Sequence, residues 1–337
     1  MANENKNITL AVKYRPKNFA EVEGQPTIIS ILSKQIETNT FRQAYLFVGP
    51  SGCGKTTTAR IMANAINKNE GEPIEIDAAS NNGVDSIRQL IVDAQQTSID
   101  SDYKIYIIDE THMLTTAAWN AALKLIEEPP TNTIFIFCTT NPEKIPNTIL
   151  SRVQRFDFKR ISTKQIADRL EFILNEELIA NYEKDALLKI ANKANGFMRE
   201  AISLLDKCIG YSTDVTMSNV EVALGMVKDE TLFELTKNII DKDTEKALSV
   251  LTKLKAEESN LVNVADDFLK FLIDAAKLQK TKVVYYGGIS ERYKDYFVGL
   301  TEDLVPIVDR VLQYRELSVN MDADSLLSII VLELCGR

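Results

Sequence analysis

The stretch "AYLFVGPSGCGKTTTAR", residues 44–60, decides the fold. It opens with five apolar, β-prone residues and breaks at once into glycines. "GPSGCGKT", Gly49 to Thr56, has the spacing G-x-x-x-x-G-K-T, and "KTTTARIMANAI" behind it carries a helical pattern. Strand, glycine loop and helix in that order make a phosphate-binding loop. In the loop Gly49, Pro50, Ser51, Gly52, Cys53 and Gly54, the glycines let backbone N–H groups close round β- and γ-phosphates, aided by the helix N-terminus, and Thr57 completes the expected binding set. Lys55 brings a point charge to those phosphates, and the Thr56 hydroxyl ligates Mg²⁺.

Further short β-rich runs lie on either side of helical segments: "IEI" (74–76), "KIYIID" (104–109) and "IFIFC" (134–138). Between the last two, "TTAAWNAALKLIEE" is stopped by Pro129 and Pro130. Strands apolar on both faces and joined by helices predict a parallel α/β sheet over residues 1–160. "IYIIDETHM" then places Asp109 and Glu110 at the C-terminal end of a strand, the end outside which α/β sheets bind ligands. In that position Asp109 holds the Mg²⁺ shell and Glu110 orients and polarises the attacking water. The same two carboxylates could instead cap the next helix. His112, the only histidine, is read as structural.

Beyond residue 160 the strand signal fades. "STKQIADRLEFILNEELI" starts at a capping Ser162 and puts Ile166, Leu170, Ile173 and Leu174 on one helical face. "DALLKIANKANGFMREAISLLDKCIG" predicts two helices broken near Asn195 and Gly196. These form a small helical domain, 161–224. The rest, 225–337, is a second helical domain: "NLVNVADDFLKFLIDAAK" spaces Leu261, Val264, Phe268, Phe271, Leu272 and Ala275 as one face. The final "SLLSIIVLELC" is apolar nearly all round, which suits either a core helix or an interface between subunits.

The 337 residues allow two or three cores, and 45% hydrophobic with 26% charged residues is an ordinary globular balance. No run is long enough to span a membrane, and the polar start "MANENKNITL" has no signal-peptide core, so a cytoplasmic location is expected. Cys53, Cys138, Cys208 and Cys335 are scattered without a CxxC pair, so neither disulfides nor zinc is indicated. The net charge of −9 argues against a broad electrostatic nucleic-acid footprint while permitting local contacts from backbone amides. With no GxSxG, no HExxH and no second histidine, serine hydrolases and metalloproteases find no support.

Six segments come in one order: "VKYRPKNFAEVEGQ" (12–25), "AYLFVGPSGCGKTTTAR" (44–60), "IEIDAASNNGVDSIR" (74–88), "KIYIIDETHMLTTAAWNAALKLIEEPP" (104–130), "FIFCTTNPEKIPNTILSR" (135–152) and "GFMREAISLLDK" (196–207). That order resembles the gamma/tau subunit family of the bacterial DNA polymerase III clamp loader over roughly residues 10–210. The resemblance implies an AAA+ ATPase domain, a helical lid and an all-α C-terminal collar that assembles into a five-subunit ring. It implies ATP and Mg²⁺ as ligands, and a sliding clamp and primer–template DNA as partners.

Carried over by position, Tyr14, Arg15, Pro16 and Val22 frame adenine and ribose. Thr140 matches the first sensor of the γ-phosphate and Arg199 the second, reaching from the lid. Arg152, in "TILSRVQRF" (148–156), matches the arginine finger that enters the neighbouring subunit's ATP site, whereas Arg155 is read as a surface charge. Ser80, Asn81, Asn82, Gly83 and Val84 match a segment that offers helix N-terminal amides to DNA phosphates; an ordinary helix cap explains the same residues.

The sequence departs from the family in places. The cysteine-rich zinc module is replaced by "NKNEGEP", so zinc is expected to be absent. Thr111 stands where valine is usual, "SRV" replaces "SRC", and no tau-type tail is seen. A compact, zinc-free version fits a phage or plasmid replication system or a divergent bacterium. The alternatives are another DNA-linked AAA+ ATPase such as a replication factor C small subunit or a branch-migration motor, a non-hydrolysing delta-prime-like scaffold, and a small-molecule kinase sharing only the P-loop.

Overall fold

A computed structural model describes residues 8–96, 100–256, 261–284, 289, 291–317 and 322–336. Most of the polar N-terminal start therefore lies outside the described residues. The chain divides into two compact units. One comprises 1–169 with 194–203, and the other 170–193 with 204–337.

The first unit is built on a parallel sheet of β1 (Ala44–Val48), β2 (Ile74–Asp77), β3 (Lys104–Asp109), β4 (Thr133–Thr139) and β5 (Gln154–Asp157), in the order β2-β3-β4-β1-β5. Its helices are α1 (Leu10–Lys13), α2 (Pro26–Glu37), α3 (Lys55–Ile66), α4 (Val84–Ala94), α5 (Thr116–Glu127) and α6 (Asn147–Leu150). Alternation along the strands sorts side chains to two faces. Tyr45, Phe47, Ile107, Ile136 and Cys138 pack with Leu32 of α2 and with Ala59 and Met62 of α3. Leu46, Val48, Ile108, Phe135 and Phe137 face Ile87 and Leu90 of α4 and Trp119 and Ala122 of α5. Each large side chain so buried contributes about 1.5–3 kcal/mol.

The central strands β1 and β4 are buried along their whole length. By contrast β2 is an exposed edge, so the expectation of strands apolar on both faces fails there. Its Glu75 turns outward and pairs with Arg60 of α3. The Thr115 hydroxyl accepts a hydrogen bond from the Ala118 amide and starts α5, and Pro129 and Pro130 follow its end.

Two helices belong partly to each unit: α7 (Thr163–Glu176) and α9 (Met198–Tyr211). Ser162 caps α7 through the Gln165 amide, and Ile166, Leu170, Ile173 and Leu174 are buried. The second unit adds α8 (Lys184–Lys193), α10 (Met217–Leu224), α11 (Asp229–Ile240), α12 (Thr244–Ala256), α13 (Leu261–Thr281), α14 (Lys294–Gly299), α15 (Val305–Leu317) and α16 (Ala323–Cys335). Val264, Phe268, Phe271, Leu272 and Ala275 of α13 form the expected buried face, while the side chain of Leu261 lies outside the described residues. In α16, Leu326, Leu327, Ile330, Val331 and Cys335 join that core, but Ile329 and Leu332 are exposed. No helix among the described residues is long and apolar enough to cross a membrane.

Candidate nucleotide site

The loop that leaves β1 reaches α3 through Gly54, and Lys55 is already the first helical residue. The Lys55 side chain is nearly buried, and its Nζ donates to the carbonyls of Gly49 (2.8 Å) and Pro50 (2.9 Å). Close packing explains the first glycine. A Cβ on Gly49 would meet the Phe158 carbonyl oxygen at 2.6 Å and the Phe158 Cβ at 2.8 Å. The Gly49 amide also donates to Thr139, tying the loop to the end of β4. Gly49→Ala should cost about 1–3 kcal/mol, because backbone cannot yield to the added methyl. Thermal unfolding of the variant checks this: the midpoint should fall by about 2–4 °C per kcal/mol.

Across from the loop, Thr56 Oγ1 donates to Asp109 Oδ2 at 2.6 Å. Two hard oxygen donors from separate elements thus meet, and together they could hold a divalent cation such as Mg²⁺. Glu110 follows with φ 48° and ψ 40°, a left-handed conformation that costs a non-glycine residue of order 1–3 kcal/mol. That turn brings its carboxylate back to the end of β4, where Thr140 Oγ1 donates to Oε2 at 3.3 Å. His112 Nδ1 stands 3.3 Å from the same oxygen and 3.3 Å from Thr139 Oγ1.

A cavity of about 190 Å³ runs along this surface. It is lined by Ser51 to Thr57, Asp109 and Glu110, and by Tyr14, Arg15, Pro16, Val22 and Arg199. Every one of these belongs to the first unit. A smaller cavity of about 50 Å³ lies in the second unit, lined by residues that include Lys189, Asp229 and Asp267. Of the residues expected to bind nucleotide, Gly49 and Pro50 underlie the loop rather than line the cavity. Arg199 packs beside the loop at Gly52, whose φ of +71° suits glycine; a Cβ built there would lie 3.5 Å from the Arg199 Cβ, an ordinary contact. Burial, and after it the charges of Arg60 and Arg199, hold Arg15 below its ordinary pKa. An anion in the cavity would relieve that crowding of cations. Burial also pushes the Cys53 and Cys138 thiols up, so neither is a nucleophile.

Sequence reasoning missed several lining residues. Arg169, on α7, donates from Nη2 to the Tyr14 carbonyl at 3.1 Å, a contact that no local pattern announces. Met198 and Ile202 flank Arg199 at helical spacing, which could have marked them. Gln25 is buried, donates to the Lys159 carbonyl (2.7 Å) and accepts from the Lys159 amide (3.2 Å), fixing the N-terminal segment beside β5.

Thr140 and Arg152, both expected to serve the phosphates, lie outside the cavity. Thr140 contacts Glu110 instead of lining it. Arg152 turns onto its own chain, with Nη2 2.8 Å from Glu127 Oε1 and Nη1 donating to the Thr148 carbonyl at 2.7 Å. Arg155 is a surface charge paired with Asp157, as read from the sequence. The segment 80–84 differs from its expected form. The amides of Ser80 and Asn81 donate to the Asp77 carbonyl in a turn, and α4 starts only at Val84 behind an extended Gly83. Ser80 and Asn81 are therefore turn residues, and helix N-terminal amides begin at Val84. The four cysteines are free and separately buried, and no cluster of metal-ligating side chains occurs among the described residues.

Comparison with known proteins places this site in context. Residues 69–162 match the family described as "DNA polymerase III, delta subunit", and residues 165–214 match "DNA polymerase III clamp loader subunit, ATPase lid domain". The chain is 38% identical to DNA polymerase III subunit tau of Bacillus subtilis, over 94% of this chain and 57% of that protein. It therefore spans little more than half of that relative. It is 32% identical to DNA polymerase III subunit gamma of Buchnera aphidicola from Acyrthosiphon pisum, over 87% of both chains. Among solved structures, the Thermotoga maritima RuvB Holliday junction branch migration motor aligns with a TM-score of 0.55 at 17% identity, over 84% of this chain and 98% of that one. That likeness bears on the fold alone and agrees with an AAA+ architecture. With the gamma subunit matched along most of its own length, the chain belongs to the DNA polymerase III gamma/tau subunit family.

Proposed function

We propose that the chain is an ATPase motor subunit of a DNA sliding-clamp loader. The observation that carries this reading is the 2.6 Å hydrogen bond from Thr56 to Asp109, with Lys55 and Glu110 on the same cavity. A hydrolytic P-loop site needs those four groups in one place. Thr56 and Asp109 would hold Mg²⁺, which when bound neutralises charge on the β- and γ-phosphates. Tyr14, Arg15, Pro16 and Val22 frame adenine and ribose. Lys55 and the loop amides bind the phosphates, Glu110 orients the attacking water, and Arg199 responds to the γ-phosphate. Arg152 serves the next subunit of the ring. Thr140 acts as first sensor through Glu110, which it contacts directly. Zinc has no place in this scheme, since the connection from α3 to β2 contains no cysteine.

The partners follow the same reading: other clamp-loader subunits in a five-subunit ring, a sliding clamp, and primer–template DNA met along its backbone near 80–84. Residues 161–224 act as lid and 225–337 as collar. The exposed Ile329 and Leu332 of α16 support assembly through that last domain. A cytoplasmic location, in a bacterium or a phage-infected host, suits these partners.

The match of residues 69–162 to a delta-type family favours a second reading, a non-hydrolysing scaffold subunit. Against it stand Lys55, Asp109 and Glu110, for which a scaffold has no use. ATP turnover measured with and without a sliding clamp and primed DNA separates the two. Stimulation by clamp and DNA together is the expected result. Turnover indifferent to both would sink the clamp-loader reading.

A further inference from the structure

We propose that His112 is a positioning residue for Glu110: its Nδ1–H anchors carboxylate oxygen Oε2 and leaves Oε1 to face the attacking water. The inference rests on the ATPase reading for its kinetic consequence, but its structural content stands apart from it. His112 lies in the 3₁₀ turn Thr111–Met113, immediately after the left-handed Glu110. The buried Thr111 pins that turn by donating from Oγ1 to the Cys138 carbonyl at 3.1 Å. The imidazole is thereby carried to the end of β4, with its side chain 15% exposed against 38% for Glu110.

The carboxylate contact favours the Nδ1–H tautomer. An ionised carboxylate only accepts hydrogen bonds, so an imidazole nitrogen that engages it must carry the proton. Nδ1 is 3.3 Å from Oε2. Thr139 Oγ1, also 3.3 Å away, already accepts from the Asn141 amide at 3.1 Å and has a second lone pair for a shared Nδ1–H. The contacts are long, as hydrogen bonds around a catalytic group often are before substrate binds. Thr140 donates to the same Oε2, so both anchors fall on one oxygen. A carboxylate held at one oxygen cannot rotate freely, and its second oxygen keeps a fixed direction. His112 touches neither phosphate nor water in this scheme and acts through Glu110.

Because His112 is the only histidine, its ring nitrogens can be read without assignment in ¹⁵N-histidine-labelled protein freed of any histidine tag. Long-range ¹H–¹⁵N spectra should show Nδ1 protonated. A bare Nδ1 with the proton on Nε2 would overturn the proposal whatever the enzyme does. Kinetics supply the second arm, using steady-state ATP hydrolysis in the loader assembled with clamp and primed DNA. His112→Ala should lower kcat about tenfold, a fraction of what a positioned base supplies, with KM for ATP within about twofold of the parent. His112→Asn, whose amide nitrogen occupies the Nδ1 position, should recover most of the loss. His112→Gln, whose amide reaches the Nε2 position, should not. Equal losses in all three variants, or a loss confined to KM, would mean the ring merely fills space. If the parent shows no turnover dependent on Glu110, the ATPase reading fails, and the nitrogen spectra still decide the hydrogen bond.

Discussion

Lys55→Ala should abolish measurable ATP turnover and weaken nucleotide binding by about a hundredfold. A hydrogen bond from a charged group is worth about 1.5–3 kcal/mol, and 1.4 kcal/mol is a factor of ten in affinity. The ammonium is already in place, nearly buried and held by the Gly49 and Pro50 carbonyls, so binding need not spend energy on ordering a long side chain. Alanine removes that held charge and leaves the cavity with Arg15 and Arg199 as its remaining arginine cations from the expected set. Titration with a fluorescent ATP analogue measures the affinity, and phosphate release measures turnover. Turnover that survived the substitution would remove the phosphate site from this loop.

Arg152→Ala should have a different signature. Its pairing with Glu127 joins two half-exposed side chains, a kind of ion pair worth about 0–1 kcal/mol, so the variant should fold and melt like the parent. Arg152 is absent from the cavity of its own chain, so ATP affinity of the isolated subunit should also be unchanged. The loss should appear only in the assembled loader, where an arginine supplied in trans contributes roughly 10³–10⁵ in turnover. Glu127→Ala is the control: it frees Arg152 from its partner and should not lower assembled turnover. Loss of ATP binding by the isolated Arg152 variant would contradict the role.

Much of this was legible in the chain. The P-loop is local: glycine spacing, strand and helix all lie within residues 44–60, so pattern sufficed. Asp109 and Glu110 were legible because an apolar strand ends on them. The exposure of β2 was not, since alternation in three residues cannot tell an edge from a centre, and only the strand order does. Arg169 reaches Tyr14 across more than 150 positions. No window of sequence contains that contact. His112 was read as structural because its partners, Thr139 and Glu110, come together only when β3 and β4 pair. The turn at Ser80 and Asn81 escaped for the opposite reason. Asp77 accepts from both amides locally, but a helix cap fits the same residues equally well.

The first unit leaves the chain at residue 169 and takes it up again at 194–203. A truncation for expression therefore cannot excise the nucleotide pocket with a single cut. A fragment ending near residue 160 keeps the P-loop and Asp109 but loses Arg169, Met198, Arg199 and Ile202 from the wall. One ending at 203 recovers the wall only by carrying residues 170–193, severed from the partners they have in the rest of the protein. Limited proteolysis would meet the same difficulty, because a nick anywhere in 170–193 detaches Arg199 from the loop by chain while leaving it seated by contact. Such a nicked protein, still held together around ATP, would separate what the covalent connection contributes from what the pocket contributes by itself.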